Sequence, residues 1–312
     1  MTGLSSNMFS SHKENKMHWE QGAVLDISWS SDGSLLTAAG TKGPPRTWRL
    51  EKGGHKEGEE LKALGASIER LSWCPSAHQS SLLAAASYDR TIYLWDQRQS
   101  AVSYKLLTSG GNSDISWSPT GRFLATINRD DNKVEFFDMA QRTVFVSADV
   151  EDAVYSVKWD HNESMVMLAT QLGTVEVYEW PGMRHITRVA AHAASCNCVT
   201  MDDRGVMATG GADALVELWN MEDFSVTKTL VAHESPLLFV DFSMDGRFLA
   251  SASDDLAVRI HEVFSGELMH SLPVDSLTTA LEWHPRNQAL AYGSAGSGKD
   301  SAKPAVTIFL KS

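Results

Sequence analysis

Cysteine is scarce in this chain: three among 312 residues, Cys74, Cys196 and Cys198. An odd number without framework spacing excludes a disulfide-stapled secreted scaffold and points to a reducing compartment. Long apolar runs are missing as well. No stretch approaches the roughly 18 residues of a membrane-spanning helix, so no membrane association is expected. The opening MTGLSSNMFSSHKENK lacks the apolar core of about 7–15 residues that a signal peptide needs. Asn162-Glu163-Ser164 therefore fits the glycosylation pattern only by chance. Cations are outnumbered, 27 Lys and Arg against 39 Asp and Glu, for a net charge of −12. Broad binding to a phosphate backbone needs clustered Lys and Arg. Any RNA contact is thus expected to be indirect, while a basic protein partner fits the charge.

Catalytic signatures are absent too: no nucleophile elbow, paired-carboxylate motif or metal-hydrolase motif. Gly293-Ser-Ala-Gly-Ser-Gly298-Lys299 imitates a phosphate-binding loop. That motif needs Ser or Thr after the Lys and then a helix. Here Asp300 follows, and Pro304 leads into a strand, so 294–304 reads as a polar loop. His192, Cys196 and Cys198 imitate a metal cluster, but zinc pairs are spaced by two or more residues and need a fourth ligand. The two thiols read as small buried side chains of a strand. No cofactor, metal or catalytic residue is expected, and the protein reads as a non-enzyme.

What is present is a repeat. Leu71–Asp96, LSWCPSAHQSSLLAAASYDRTIYLWD, holds three short apolar runs separated by turn formers, the pattern of β-strands. Aligned on the aromatic that ends the first run, the chain gives Trp29, Trp73, Trp117, Trp159, Met201, Phe242 and Trp283, at intervals of 44, 44, 42, 42, 41 and 41. Each is followed by a polar turn, a second strand and a third. Amphipathic runs such as Val102–Leu107 and Val226–Val231 supply a fourth strand. A four-stranded unit recurring every ~40–45 residues is one blade of a β-propeller. The all-β reading is seven blades near 23–64, 68–107, 112–149, 153–190, 195–231, 236–272 and 277–310. Residues 15–19 are expected to complete the last blade and close the ring, behind a flexible segment 1–14. The polar stretch Glu51–Lys62 reads as a mobile loop.

The repeat resembles the WD40 type. Trp95-Asp96 keeps the eponymous dipeptide, and Trp219 ends the third strand of blade five. Such repeats carry an Asp six residues before the third-strand aromatic, here Asp89, Asp131, Asp213 and Asp255; Lys42 and Leu172 stand there in blades one and four. A His before the first strand survives as His192 and His233. These residues, with the strand-ending Trp29, Trp73, Trp117, Trp159 and Trp283, are expected to be structural. The candidate partner surface is the face bearing the loops between second and third strands: Tyr88, Arg90, Asp130, Glu151, Asp152, Glu234 and Asp254. The opposite face is mixed and arginine-rich, with Arg98, Arg122, Arg142, Arg184, Arg204, Arg247 and Arg286 among Asp32, Asp203 and Asp245.

Finer stretches are similar to one family, the WD40 subunit of the THO complex. They are SWCPSAHQSSLLAAASYDRTIYLWDQR, SDISWSPTGRF, AHAASCNC, ATGGADALVELWN, SASDDLAVRIHEV and LEWHPRNQALAYG. The resemblance implies a nuclear, non-catalytic scaffold assembled with the larger THO subunits. It also implies an RNA helicase and export adaptors in the wider assembly, which serves mRNA packaging and export. The alternative is another WD40 scaffold, such as a chromatin-associated adaptor or a ubiquitin-ligase substrate receptor.

Overall fold

The computed structural model describes residues 9, 11–17, 19–51, 54–61, 67–76, 81–99, 101–231, 233–296 and 303–311. Its strands form seven antiparallel sheets of four, and in six of them the strands follow chain order. Blade two runs Ile68–Trp73, Leu82–Ser87, Thr91–Asp96 and Val102–Leu107. The inner strands contact their neighbours around the whole circle, from Val24–Trp29 to Thr278–Trp283 and back. The expected seven-bladed ring is thus the observed fold.

Why the sequence makes blades is local chemistry. Short apolar strands alternate with turns that only certain residues allow. Gly33, in the turn after the first inner strand, has φ +72°, and a Cβ there would meet the His284 imidazole at 2.2 Å. His284 Nε2 lies 3.0 Å from the Gly33 carbonyl, so this turn is also a contact between blades seven and one.

Seven apolar clusters, one at each blade interface, make up the core. The strand-ending aromatics hook onto the preceding blade. Trp117 Nε1 donates to the Ser72 carbonyl at 2.9 Å, and Trp159 Nε1 to that of Ser116 at 3.2 Å. Trp73 Nε1 reaches Thr37 Oγ1 at 3.1 Å.

The last sheet has the order His12–Met17, Ala305–Lys311, Ala289–Ser294, Thr278–Trp283. The closing strand is therefore His12–Met17 rather than residues 15–19. Its register, His12 opposite Lys311 through Met17 opposite Val306, is set by the far end of the chain. Trp19 lies beyond the strand, packed on Trp48 at 5.9 Å and donating to the Gly22 carbonyl. Phe9, ahead of the strand, is buried between blades six and seven against Phe248 and Phe309. Tyr292 donates to Glu14 across the closing sheet at 2.7 Å.

Glu51–Lys62 also differs from expectation. Gly54–Glu60 is the outer strand of blade one, paired with Arg46–Glu51. Outer strands are solvated on their free edge, so a charged sequence without apolar alternation still serves. Residues 297–302, within the polar loop 294–304, lie outside the described residues.

Candidate functional site: the loop face and the central channel

Loops between second and third strands, and those leading from each outer strand to the next inner strand, share one face of the ring. Tyr88 is 54% exposed on it. Arg90 reaches Asp130 at 3.6 Å, and Asp130 also accepts the Gly111 N–H. Glu151, on a side chain 92% exposed, lies 3.7 Å from Arg188. Asp152 accepts the Leu172 N–H at 2.7 Å. Glu234 and Asp254 are exposed, and no ion pair neutralises either among the described residues. Of the seven predicted surface residues, Arg90 and Asp130 are thus tied to each other, while Glu234 and Asp254 offer free charge.

Sequence reasoning missed the apolar component of this face. Leu107, Tyr155, Leu172, Val231, Leu256 and Leu277 are all exposed here. Leu172, at a position where an Asp was expected, was the one available signal. The opposite face is quieter than its arginines suggest. Five of those seven are ion-paired: Arg98 with Asp96, Arg122 with Asp138, Arg184 with Glu179, Arg204 with Asp202 and Arg247 with Glu262.

The expected structural residues divide by blade. In blade five, Trp219 Nε1 donates to Thr209 Oγ1 at 3.2 Å, and Thr209 lies 2.9 Å from His192 Nε2. His192 Nδ1 is 3.0 Å from Asp213. With Thr209 accepting from the indole, its hydroxyl donates to Nε2, so the His192 proton sits on Nδ1 and is given to Asp213. Burial lowers the His192 pKa despite Asp213, consistent with a neutral ring. Blade six repeats the chain with Asp255, His233 and Ser251, but His261 takes the Trp position. Blades two and three depart from the expectation. Asp89 is exposed and accepts from Tyr93 at 2.6 Å. Asp131 is exposed beside Lys133. The buried tie in blade three is instead Asn112, Thr126, Asn128 and Glu135. Trp29 and Trp283 are buried at the junctions of blade seven, and Trp29 lies 4.7 Å from His284.

The axis of the ring is a channel that includes a cavity of about 390 Å³, lined among others by Asp26, Arg70, Asp114, Lys158, Asp241 and Glu282. Inner strands have an open edge toward this channel, and buried backbone N–H groups require partners. The acids supply them across blade boundaries. Asp26 accepts Leu71 N at 2.7 Å, Asp114 accepts Val157 N at 3.0 Å, Asp241 accepts Trp283 N at 2.7 Å and Glu282 accepts Trp29 N at 3.0 Å. Arg70 lies over the Phe239 ring from across the channel at 5.8 Å and within 4.0 Å of Asp114.

Burial pushes Asp26 and Asp241 up to about 6, and pushes Glu282 well above the usual range with Asp241 and Asp26 adding repulsion. A raised folded-state pKa contributes stability at low pH that is lost as pH rises toward that pKa. Asp241→Asn keeps an oxygen for Trp283 N and removes the titration. Its advantage over the parent should be absent near pH 4 and grow as pH rises through about 6, with Glu282, no longer opposed by Asp241, adding to it at higher pH. Denaturant midpoints of the two proteins at matched pH check this, because the buried histidines shift both alike. A constant difference across pH would contradict it.

The Gly293–Lys299 stretch lies partly outside the described residues, while both thiols of the His192, Cys196 and Cys198 group are buried. Burial raises the Cys198 thiol to about 12 and Cys196 well above its ordinary value. Among the described residues no group of three or more His, Cys, Asp or Glu could hold a metal ion.

Comparison with known proteins agrees with this geometry. Residues 70–245 match the model of the WDR19 first beta-propeller. The THO complex subunit 3 of Arabidopsis thaliana is 32% identical over 300 residues, covering 95% of this chain and 91% of that protein. The WD repeat-containing protein AAC3 of Dictyostelium discoideum is 27% identical, covering 98% of this chain and 68% of that protein. The WD40 propeller domain of Doa1 superposes with a TM-score of 0.83 over 97% of this chain and 98% of its own, at 16% identity, which speaks to fold alone. Propellers of this class typically serve as non-catalytic scaffolds, and by fold, repeat and full-length similarity this chain belongs to the WD40 propellers of the THO complex subunit 3 family.

Proposed function

We propose that the chain is the WD40 scaffold subunit of a nuclear THO-type assembly, supporting co-transcriptional packaging and export of mRNA. The observation that carries this reading is the 32% identity to THO complex subunit 3, spread over nearly the whole of both chains. A ring without a ligand-binding motif suits a subunit that works by docking. The larger THO subunits are the direct partners, with an RNA helicase and export adaptors reached through the assembly. RNA contact is indirect, in keeping with the net charge of −12 and the paired arginines of the face opposite the loops.

The docking surface is the loop face. Its residues are Tyr88, Arg90, Asp130, Glu151, Asp152, Glu234 and Asp254, set among exposed leucines. Apolar side chains interleaved with acids suit a basic, amphipathic partner segment. Tagged chain purified from nuclei should bring down other THO subunits, and recovery without any of them would overturn the assignment. Glu234→Lys combined with Asp254→Lys should weaken that recovery at least tenfold with an unchanged melting temperature. The pair is chosen because neither side chain braces the fold.

A further inference from the structure

Each blade ends in an outer strand whose outward N–H and C=O groups have no strand beside them among the described residues, so the rim presents seven open edges there. Such edges resist pairing with other chains when they carry charge or proline. Six of them do: each has a Lys, Arg, His or Pro within the strand, as in Lys105 of Val102–Leu107 and Pro273 of Leu268–Pro273. The seventh, Thr143–Asp149 of blade three, reads TVFVSAD, with no basic residue or proline and one acid at its end.

This edge is also apolar and open. Val144 and Phe145 are 44% and 48% exposed. Phe145 is held against Phe123 at 5.2 Å and Trp180 at 5.7 Å, so its ring is fixed at the rim. The register shift in this outer pair occurs in five other blades too, so it does not set this edge apart. The side chains do.

Charge says what would cover it. Arg142 precedes the strand, its guanidinium 4.1 Å from the Tyr104 ring, and no carboxylate pairs with it among the described residues. Asp149 ends the strand and Glu151 lies just beyond it, on side chains 86% and 92% exposed, with Lys133 3.6 Å from Asp149 and Arg188 3.7 Å from Glu151 in solvent-screened pairs. The edge is therefore self-complementary: an antiparallel copy centred on Val146 sets Arg142 of each chain beside Asp149 and Glu151 of the other. We propose that two copies of this chain pair through Thr143–Asp149, joining their third blades into one eight-stranded sheet. The contact is isologous and closes on itself, so it stops at a dimer. One strand buries less than the roughly 1,200 Å² of a stable interface. The dimer is accordingly weak, and forms at high concentration or where an assembly raises the local concentration.

Sedimentation equilibrium of the full chain, from low to high micromolar protein, tests this. The average mass should climb from 34.2 kDa toward twice that value. Val144→Lys with Ser147→Lys should hold it at the monomer mass while the melting temperature stays unchanged, since both side chains are exposed. Arg142→Glu should weaken association at least tenfold, and adding Glu151→Arg to the same chain should restore part of it, because two-fold symmetry brings the reversed charges together again while Asp149 stays opposed. A parent protein monomeric at every concentration, or a dimer indifferent to the lysine pair, overturns the proposal. A dimer that the double charge swap fails to restore even in part overturns the antiparallel pairing.

Discussion

A chain lacking its first 17 residues should lose most of its stability. The deletion removes Phe9 and Met17, each about 2–3% exposed within the packing of blade seven with its two neighbours. It also removes every hydrogen bond between His12–Met17 and Ala305–Lys311. Truncating a large buried side chain costs about 2–5 kcal/mol. Two such losses, plus an open edge on the last blade, rival the ~5–15 kcal/mol that holds a typical domain together. The shortened chain should therefore melt far below the parent, or fail to accumulate as folded protein. Phe9→Ala isolates the anchor from the strand and should cost about 3–5 kcal/mol by urea titration. A shortened chain with an unchanged melting temperature would show that the ring holds without its clasp.

Trp95→Ala is the second large effect. Trp95 is 1% exposed, stacked with Tyr93 at 5.9 Å between blades one and two. Removing it leaves a cavity in packed surroundings, at about 3–5 kcal/mol. The indole nitrogen refines the test, because Trp95 Nε1 is buried without a partner among the described residues. Trp95→Phe therefore sacrifices no hydrogen bond and should cost well under half as much as Trp95→Ala. At Trp219 the order narrows. Its Nε1 feeds Thr209, His192 and Asp213, so Trp219→Phe leaves a buried hydroxyl short of a donor, at about 1–3 kcal/mol. Equal costs for the two Phe variants would mean that the chain of hydrogen bonds in blade five adds nothing to stability.

The contrast between these tryptophans shows how far the repeat could be read. Trp95 and Trp219 occupy the same place in the period, yet only one is tied by its nitrogen. That difference depends on what faces it. Asp89 and Asp213 likewise share a position, but Gly65-Ala66-Ser67 precedes blade two where blade five has His192. Without the imidazole, Asp89 stays exposed and bonds Tyr93 instead. Gly54–Glu60 escaped a strand assignment because a strand on the rim needs backbone pairing but no apolar face. His12–Met17 was misplaced because its register depends on residues almost 300 positions away.

The loop face was legible in its charges but not in its leucines. Exposed Leu107, Leu172 and Leu256 look like ordinary strand or turn residues until the ring turns them outward. The channel was not legible at all. Asp26, Asp114, Asp241 and Glu282 lie in four different blades, and nothing in their spacing says they will share a cavity.

By itself the sequence determined the blade, the number of blades and the need for a closing strand. Those follow from period-two alternation and turn chemistry, interactions that act within about 40 residues. Tertiary structure alone decided which arginines are neutralised and which carboxylates meet in the channel. Charge and exposure are properties of what surrounds a residue, and in a ring those surroundings come from other blades.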